Sequence, residues 1–233
     1  MKNKYRHELK FVVDEIDLRV IEKRLSGIMR HDSHADSNGQ YIIRSVYFDD
    51  ANRTAYYENQ NGNDPRHKFR VRIYNYSDER ITLEKKIKNN GMTAKQSCSI
   101  SREQYYRMIS GDNMMDQLGE SPLFDEWILW NNSMIVHPVM LGEYVRTPYI
   151  YEPGNVRVTF DKFISASRDY DRLFNKDIMK IEVVPDGRHV LEVKYDELLP
   201  DIVKEAVDIG NLQRTGFSKF YLGVRALEGS LDL

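Results

Sequence analysis

The chain has 233 residues, with 34 Lys and Arg against 36 Asp and Glu, a net charge of −2. A balance this even argues against a globally basic nucleic-acid-binding surface, so an anion site has to come from local segregation of charge. The single cysteine, Cys98, rules out an intrachain disulfide, and no run of about 18 apolar residues is available to cross a bilayer as a helix.

Residues 4–13 read as a strand in which Lys4, Arg6, Glu8 and Lys10 alternate with Tyr5, His7, Leu9 and Phe11. Asp14 then caps a helix of about 16 residues with Ile16, Val20, Ile21, Leu25 and Ile28 as its apolar stripe. His31 to Gly39 reads as a solvated loop, because His31, Asp32 and His34 have no further donor in view to complete a metal site. A strand at 40–49, a short helix carrying Tyr56 and Tyr57, and a turn at 61–65 follow.

Strands at 67–76, 79–88 and 92–100, joined by Ser77-Asp78 and by Asn89-Asn90-Gly91, form an antiparallel meander. Cys98 falls on the apolar side of the third strand, which makes it a packed thiol rather than a nucleophile. Ser101 and Ser121-Pro122 open two helices, and Phe124, Trp127 and Trp130 on the second read as core. Strands are expected again at 138–151, 155–165, 178–184 and 188–195, with Pro185-Asp186-Gly187 turning the last pair. A helix begins near Leu199-Pro200, and the segment Phe217 to Val224 ends the pattern.

Alternation has a chemical sense. Lys68, Arg70 and Arg72 share one face of their strand while Phe69, Val71 and Ile73 share the other. On one strand this is most often a solvated outer face. Here the polar face recurs, in Thr82-Glu84-Lys86-Lys88, Thr93-Lys95-Ser97-Ser99, Arg157-Thr159-Asp161 and Glu192-Lys194-Asp196. Like charges about 7 Å apart along a strand repel, and an anion between them relieves that repulsion. The expected fold is α+β: a closed antiparallel eight-stranded barrel with flanking helices, one domain over 1–233, its charged face turned inward. The composition predicts a soluble cytoplasmic protein without membrane insertion.

The ordered set Arg6-His7-Glu8-Leu9-Lys10-Phe11, Ser45-Val46-Tyr47-Phe48-Asp49, Lys68-Phe69-Arg70-Val71-Arg72, Leu83-Glu84-Lys85-Lys86, Val156-Arg157-Val158-Thr159-Phe160-Asp161, Leu191-Glu192-Val193-Lys194-Tyr195 and Phe217-Ser218-Lys219-Phe220 resembles the VTC-type polyphosphate polymerase domain. That family belongs to the triphosphate tunnel metalloenzymes, also called CYTH-like. The resemblance implies that Lys10, Arg70, Arg72, Lys86, Lys95, Arg146, Arg157 and Lys219 hold ATP and a growing polyphosphate chain, and that Glu192 holds Mn²⁺ or Mg²⁺. Glu8 and Glu84 either join the metal site or pair with nearby lysines, and pairing is the reading adopted, since a crowd of cations needs counter-charges. Arg6 stands where the wider superfamily carries an acid, which favours a polymerase over a two-metal hydrolase. The implied activity is transfer of the ATP γ-phosphate to polyphosphate without a phosphoenzyme. The alternatives are a tripolyphosphate or nucleoside triphosphate hydrolase on the same fold, and a non-catalytic polyphosphate-binding module. A membrane-protein partner for product export remains an open expectation.

Overall fold

The computed structural model describes residues 4–184, 187–210 and 212–230. In chain order it contains β1 (His7–Val13), α1 (Glu15–Leu25), β2 (Arg30–His31), β3 (Tyr41–Asp49), α2 (Thr54–Gln60), β4 (Arg66–Tyr74), β5 (Ile81–Asn89) and β6 (Met92–Ile100). These are followed by α3 (Arg102–Ser110), α4 (Pro122–Met134), β7 (His137–Tyr151), β8 (Val156–Ser167), β9 (Ile181–Glu182), β10 (His189–Tyr195), α5 (Asp201–Val207) and α6 (Lys219–Leu227). Eight strands form one antiparallel path, β1-β10-β8-β7-β3-β4-β5-β6, with β2 and β9 as two-residue additions to β7 and β8.

The expected closed barrel is an open, curled sheet. The free edge of β1 meets β6 at one place, where Arg6 and Thr93 exchange backbone hydrogen bonds of 2.9 Å. The reason is length: β6 starts at Met92, just after the hairpin turn, so it has no residues left to pair with the rest of β1. Further along that edge the C-terminal segment takes its place, with Arg214 bridging Phe11 and the Thr215 amide donating to the Lys10 carbonyl at 2.9 Å.

Period-two patterning decides which face each strand buries. On the convex side of β3–β6, Phe48, Phe69, Val71, Ile73 and Leu83 pack on Tyr105, Met108, Phe124 and Trp127 of α3 and α4. Trp130 stacks on Phe69 with ring centroids 5.2 Å apart, and the half-buried Cys98 packs on the same cluster. On the convex side of β1, β10 and β8, Val158, Phe160, Leu191 and Val193 pack on Leu18, Ile21 and Leu25 of α1 and Val203 and Ala206 of α5. The α1 stripe thus differs from the expected one. Ile16 and Val20 are exposed, because the helix is 11 residues long and turns Leu18, Ile21 and Leu25 to the sheet.

Two further expectations change. The strand expected at 178–184 keeps only Ile181–Glu182 as a ladder, and of the Pro185-Asp186-Gly187 turn the first two residues lie outside the described residues. The closing segment is a helix, α6, lying in the concavity of the sheet, where Phe220 and Val224 pack with Tyr47, Met140, Ile164 and Val190. Ser218 caps it, accepting from the Tyr221 amide at 3.3 Å. Gly223 allows the close approach: a Cβ there would stand 2.7 Å from Met140 Cε and 3.2 Å from its Cγ and Sδ.

A branched side chain at that contact should unseat α6. Gly223→Val is expected to lower stability by about 1–3 kcal/mol, read as a shift in the urea midpoint at constant slope; an unchanged midpoint would show that α6 does not depend on this contact.

Candidate functional site

The concave face of the curl, roofed by the start of α6, encloses a cavity of about 410 Å³. Among the described residues its wall carries eleven lysines and arginines against two glutamates. Lys10, Arg70, Arg72, Lys86, Arg146 and Lys219, six of the eight cations implied by the resemblance, line it. Cross-strand register brings them together: Lys10 lies opposite Glu192, Arg70 opposite Glu84, and Lys86 between Lys68 and Lys95.

Lys95 and Arg157 are not part of the cavity wall. Lys95, about half exposed, reaches Glu84 at 2.8 Å from the side of β6. Arg157 sits further along β8 and donates to Asp32 Oδ2 at 2.8 Å and to the Tyr41 hydroxyl at 2.6 Å. Asp32, in the loop read as solvated, is therefore a buried counter-charge. Arg6, where an acid would stand in the superfamily, lies outside the cavity wall and pairs with Asp196 at 2.8 Å.

Several wall residues escaped the sequence reading as site residues. Lys68, Lys88 and Lys194 carried the signal, since they continue the alternation of Arg70, Lys86 and Glu192. Arg214 had none, because it lies in a segment of no regular pattern that folds back on β1. Tyr47 and Tyr144 accept from Arg70 at 3.1 Å and Arg72 at 3.2 Å. Their apolar neighbours in sequence gave no hint of it.

Four buried carboxylates hold the cations. Glu84 accepts from Arg70 Nε at 2.8 Å and from Lys95, with Arg72 3.7 Å away. Asp161 takes a two-pronged bond from Arg146, at 2.6 and 2.8 Å, and a contact from Lys219 at 2.5 Å. Glu8 receives Lys86 at 2.8 Å on both oxygens and lies 3.5 Å from Lys10. Glu192 contacts Lys194 and is 3.7 Å from Lys10. Burial opposes charge on Glu8 and Asp161, yet Lys10 and Lys86 hold Glu8 down to about 2, and Arg146 and Lys219 do the same for Asp161, also to about 2. Desolvation moves Lys86 the other way, down to about 7, with the Lys10 and Lys194 charges adding to it against Glu8.

Glu8 and Glu192 flank Lys10, and Glu192 Oε1 is buried in contact with the Lys194 ammonium. No group of three or more His, Cys, Asp or Glu converges among the described residues. This donor set fits a hard cation whose remaining ligands are phosphate oxygens and water, the usual manner of Mg²⁺. It does not make an all-protein cage.

A curled antiparallel sheet with helices on its convex side and a cation-lined concavity is the triphosphate tunnel architecture. The chain belongs to the VTC-domain family: the VTC domain model matches residues 5–228. No curated protein matches it. Among solved structures, a putative adenylyl cyclase from Hippeastrum, HpAC1, described as having a dominant triphosphatase activity, is 13% identical with a TM-score of 0.58, covering 99% of this chain and 97% of its own. A putative adenylate cyclase from Bacillus halodurans is 11% identical with a TM-score of 0.50, covering 83% of this chain and 82% of its own. Identities this low establish the shared fold. No helix among the described residues is long and apolar enough to cross a membrane.

Asp161→Ala leaves Arg146 and Lys219 buried against each other, and is expected to destabilise the fold by about 3–5 kcal/mol in denaturant titration; a loss below about 1 kcal/mol would show that water replaces the carboxylate. The same linkage sets acid stability. Glu8 and Asp161 are lowered by folding, so their contribution is complete above the ordinary carboxylate range and is lost as pH falls towards about 2. Thermal melts should therefore drop between about pH 4.5 and 2, and less steeply in Glu8→Gln.

Proposed function

We propose that the protein is a metal-dependent polyphosphate polymerase that transfers the γ-phosphate of ATP to the end of an inorganic polyphosphate chain. The observation that carries this reading is the wall itself, eleven cations against two glutamates in one cavity of about 410 Å³. Glu8, Glu84, Asp161 and Glu192 offset part of that charge, and a polyanion would offset the rest.

Phosphoryl transfer needs an acceptor oxygen in line with the γ-phosphorus and neutralised equatorial oxygens, with little covalent chemistry from the protein. Arg70 and Arg72 present guanidinium forks, fixed by Glu84 and by the Tyr47 and Tyr144 hydroxyls, to phosphate oxygens. Lys10, Lys86 and Lys219 add movable charges around the same space, and Arg146 is held rigid by Asp161. Glu192, with Glu8, would hold Mn²⁺ or Mg²⁺, which supplies further neutralisation of phosphate charge when bound. The acceptor phosphate is itself the nucleophile, so no side chain has to become phosphorylated.

Hydrolysis on the same site is the second reading, favoured by the triphosphatase activity described for the Hippeastrum protein. The carboxylates weigh against it. Glu8 and Asp161 are engaged by lysine and arginine and held to about 2, which makes them poor bases for activating water. Lys95 and Arg157, off the cavity wall, serve in this reading to position Glu84 and Tyr41 rather than to touch phosphate.

With Mn²⁺ and γ-labelled ATP, the expected products are labelled chains of increasing length and ADP; orthophosphate alone would establish hydrolysis, and binding without turnover a polyphosphate-binding module. Arg72→Ala is expected to lower kcat/KM at least about tenfold with folding retained, and full activity in that variant would remove Arg72 from the reacting centre. Glu192→Gln should weaken Mn²⁺ binding in the presence of tripolyphosphate, measured by titration calorimetry, and an unchanged isotherm would exclude it as a ligand.

A further inference from the structure

Lys68 stands apart from the inner cations of the wall. Lys10 and Lys86 contact Glu8, Arg70 contacts Glu84, and Arg146 and Lys219 contact Asp161. Among the described residues no carboxylate contacts Lys68. Its Nζ donates to Ser218 Oγ at 3.2 Å and stands 5.3 Å from the centre of the Phe220 ring. The charged groups around it are cations from three strands: Arg66 and Arg70 on its own face of β4, Lys86 opposite it on β5, and Lys10 on β1. From α2 the wall receives only the uncharged Ala55 and Asn59, and Lys219 of α6 is turned to Asp161. The nearby carboxylates are committed elsewhere. Both oxygens of Glu8 take Lys86, and Asp49, at the end of β3, accepts from the Ala55 and Tyr56 amides.

Loss of water inside the concavity, with repulsion from Lys86, Lys10, Arg70 and Arg66 adding to it, pushes the Lys68 ammonium well below the usual lysine range. Giving up its proton relieves the repulsion and leaves a neutral amine on the wall of a cavity of about 410 Å³. Desolvation beside other cations is one of the settings that make a lysine nucleophilic. Charge then selects the electrophile. An adduct that stays neutral leaves the surrounding cations without a counter-ion, whereas carbon dioxide adds to an amine to give a carbamate, which is an anion. In that step, R–NH2 + CO2 → R–NH–COO⁻ + H⁺, the nitrogen lone pair forms the N–C bond, one C=O π pair moves onto oxygen, and the N–H proton passes to water. Nothing is oxidised or reduced, and no group leaves.

We propose that Lys68 is a carbon dioxide site, carbamylated reversibly on Nζ and held as the carbamate by Lys86, Lys10, Arg70 and Arg66. The modification replaces a cation of the wall with an anion, so it supplies from a small molecule the counter-charge that the protein gives to the inner cations but not to Lys68. A carboxylate among cations in a confined space is the arrangement Glu8 and Glu84 already make nearby. The inference goes beyond the proposed function and does not depend on it, because it requires only the crowd of cations around an unpaired amine.

The test equilibrates the whole protein with isotope-labelled carbon dioxide and bicarbonate, caps any carbamate by alkylation with triethyloxonium, and maps the label by peptide mass spectrometry. An ethyl carbamate is expected on Lys68 and not on Lys4, which is exposed and paired with Asp196. At constant dissolved carbon dioxide the yield on Lys68 should rise between about pH 6 and about pH 8, because only the neutral amine reacts. Lys86→Met removes the cation opposite and should lose most of the Lys68 adduct, while Lys86→Arg, which keeps the charge, should retain it. Absence of label on Lys68 at saturating carbon dioxide, or equal label on Lys4, would overturn the site in the wild-type protein alone. A Lys68 adduct undiminished in folded Lys86→Met would overturn the surrounding cations as its cause.

Discussion

Mutual repulsion among the cations of the concave face is the constraint on which the structure depends. A strand period of two places Lys68, Arg70 and Arg72 on one side, and the curl of the sheet then aims that side at Lys10, Lys86 and Arg146. Glu8, Glu84, Asp161 and Glu192 make this tolerable. Each is buried, each contacts at least two cations, and none occurs on the apolar convex side. Removing a charge from water costs several kcal/mol unless it is paired and hydrogen-bonded, so the four carboxylates fix where the inner cations can sit. Arg70 and Arg146 are thus oriented by the protein's own carboxylates, and under the proposed function this pre-orientation is what transition-state neutralisation requires.

The carboxylates also explain how a chain of net charge −2 can present a strongly cationic cavity. Segregation is achieved at the level of strand faces rather than of domains. Acidic side chains such as Glu15, Asp17, Asp112 and Asp116 lie on helices and loops at the surface, several of them in ion pairs with Arg19 and Arg107. Exposed pairs of this kind contribute little to stability. They offset basic side chains on the outer surface, while the cavity wall keeps its excess of cations.

Much of this was legible in the sequence because alternation is a local signal. The meander β4–β5–β6, its Asn-Gly turn, the inward row of Arg70 and Arg72, and the core roles of Phe124 and Trp127 all follow from patterns within ten residues. What was not legible depends on contacts between distant segments. Closure was expected because eight alternating strands suit a barrel, but β6 begins too late to pair along β1, and only the register of the two edges shows it. Asp32 looked like part of a solvated loop until Arg157, 125 positions away, met it at 2.8 Å. Lys95 and Arg157 carried the right residue type on the right face and lie opposite the wall residues Lys86 and Lys194, but Lys95 is half exposed on the edge strand β6 and Arg157 is turned to Asp32 and Tyr41. Period fixes a face; it does not fix where a long side chain ends.

The two ends of the chain complete the site together. Lys10 on the first strand donates to the Phe217 carbonyl at 3.0 Å, and the Thr215 amide returns a bond to the Lys10 carbonyl. Lys68 donates to Ser218, and Lys219 reaches Asp161. These contacts draw the start of α6 into the curl, where it serves as roof, as cation source and as the element that covers the edge β6 leaves free. Contacts between residues 207 apart in sequence close a long loop, at an entropic cost that grows slowly with its length. The ladder from β3 to β8 and the core under α3 and α4 contain none of these contacts, whereas the cavity is built on them. An open sheet sealed by a C-terminal segment is thus not an incomplete barrel. Its seam is held by side chains and single backbone bridges rather than by a ladder, and the same lysines that hold it are those that line the cavity. Under the proposed function, anion binding and the seating of α6 therefore draw on one set of side chains.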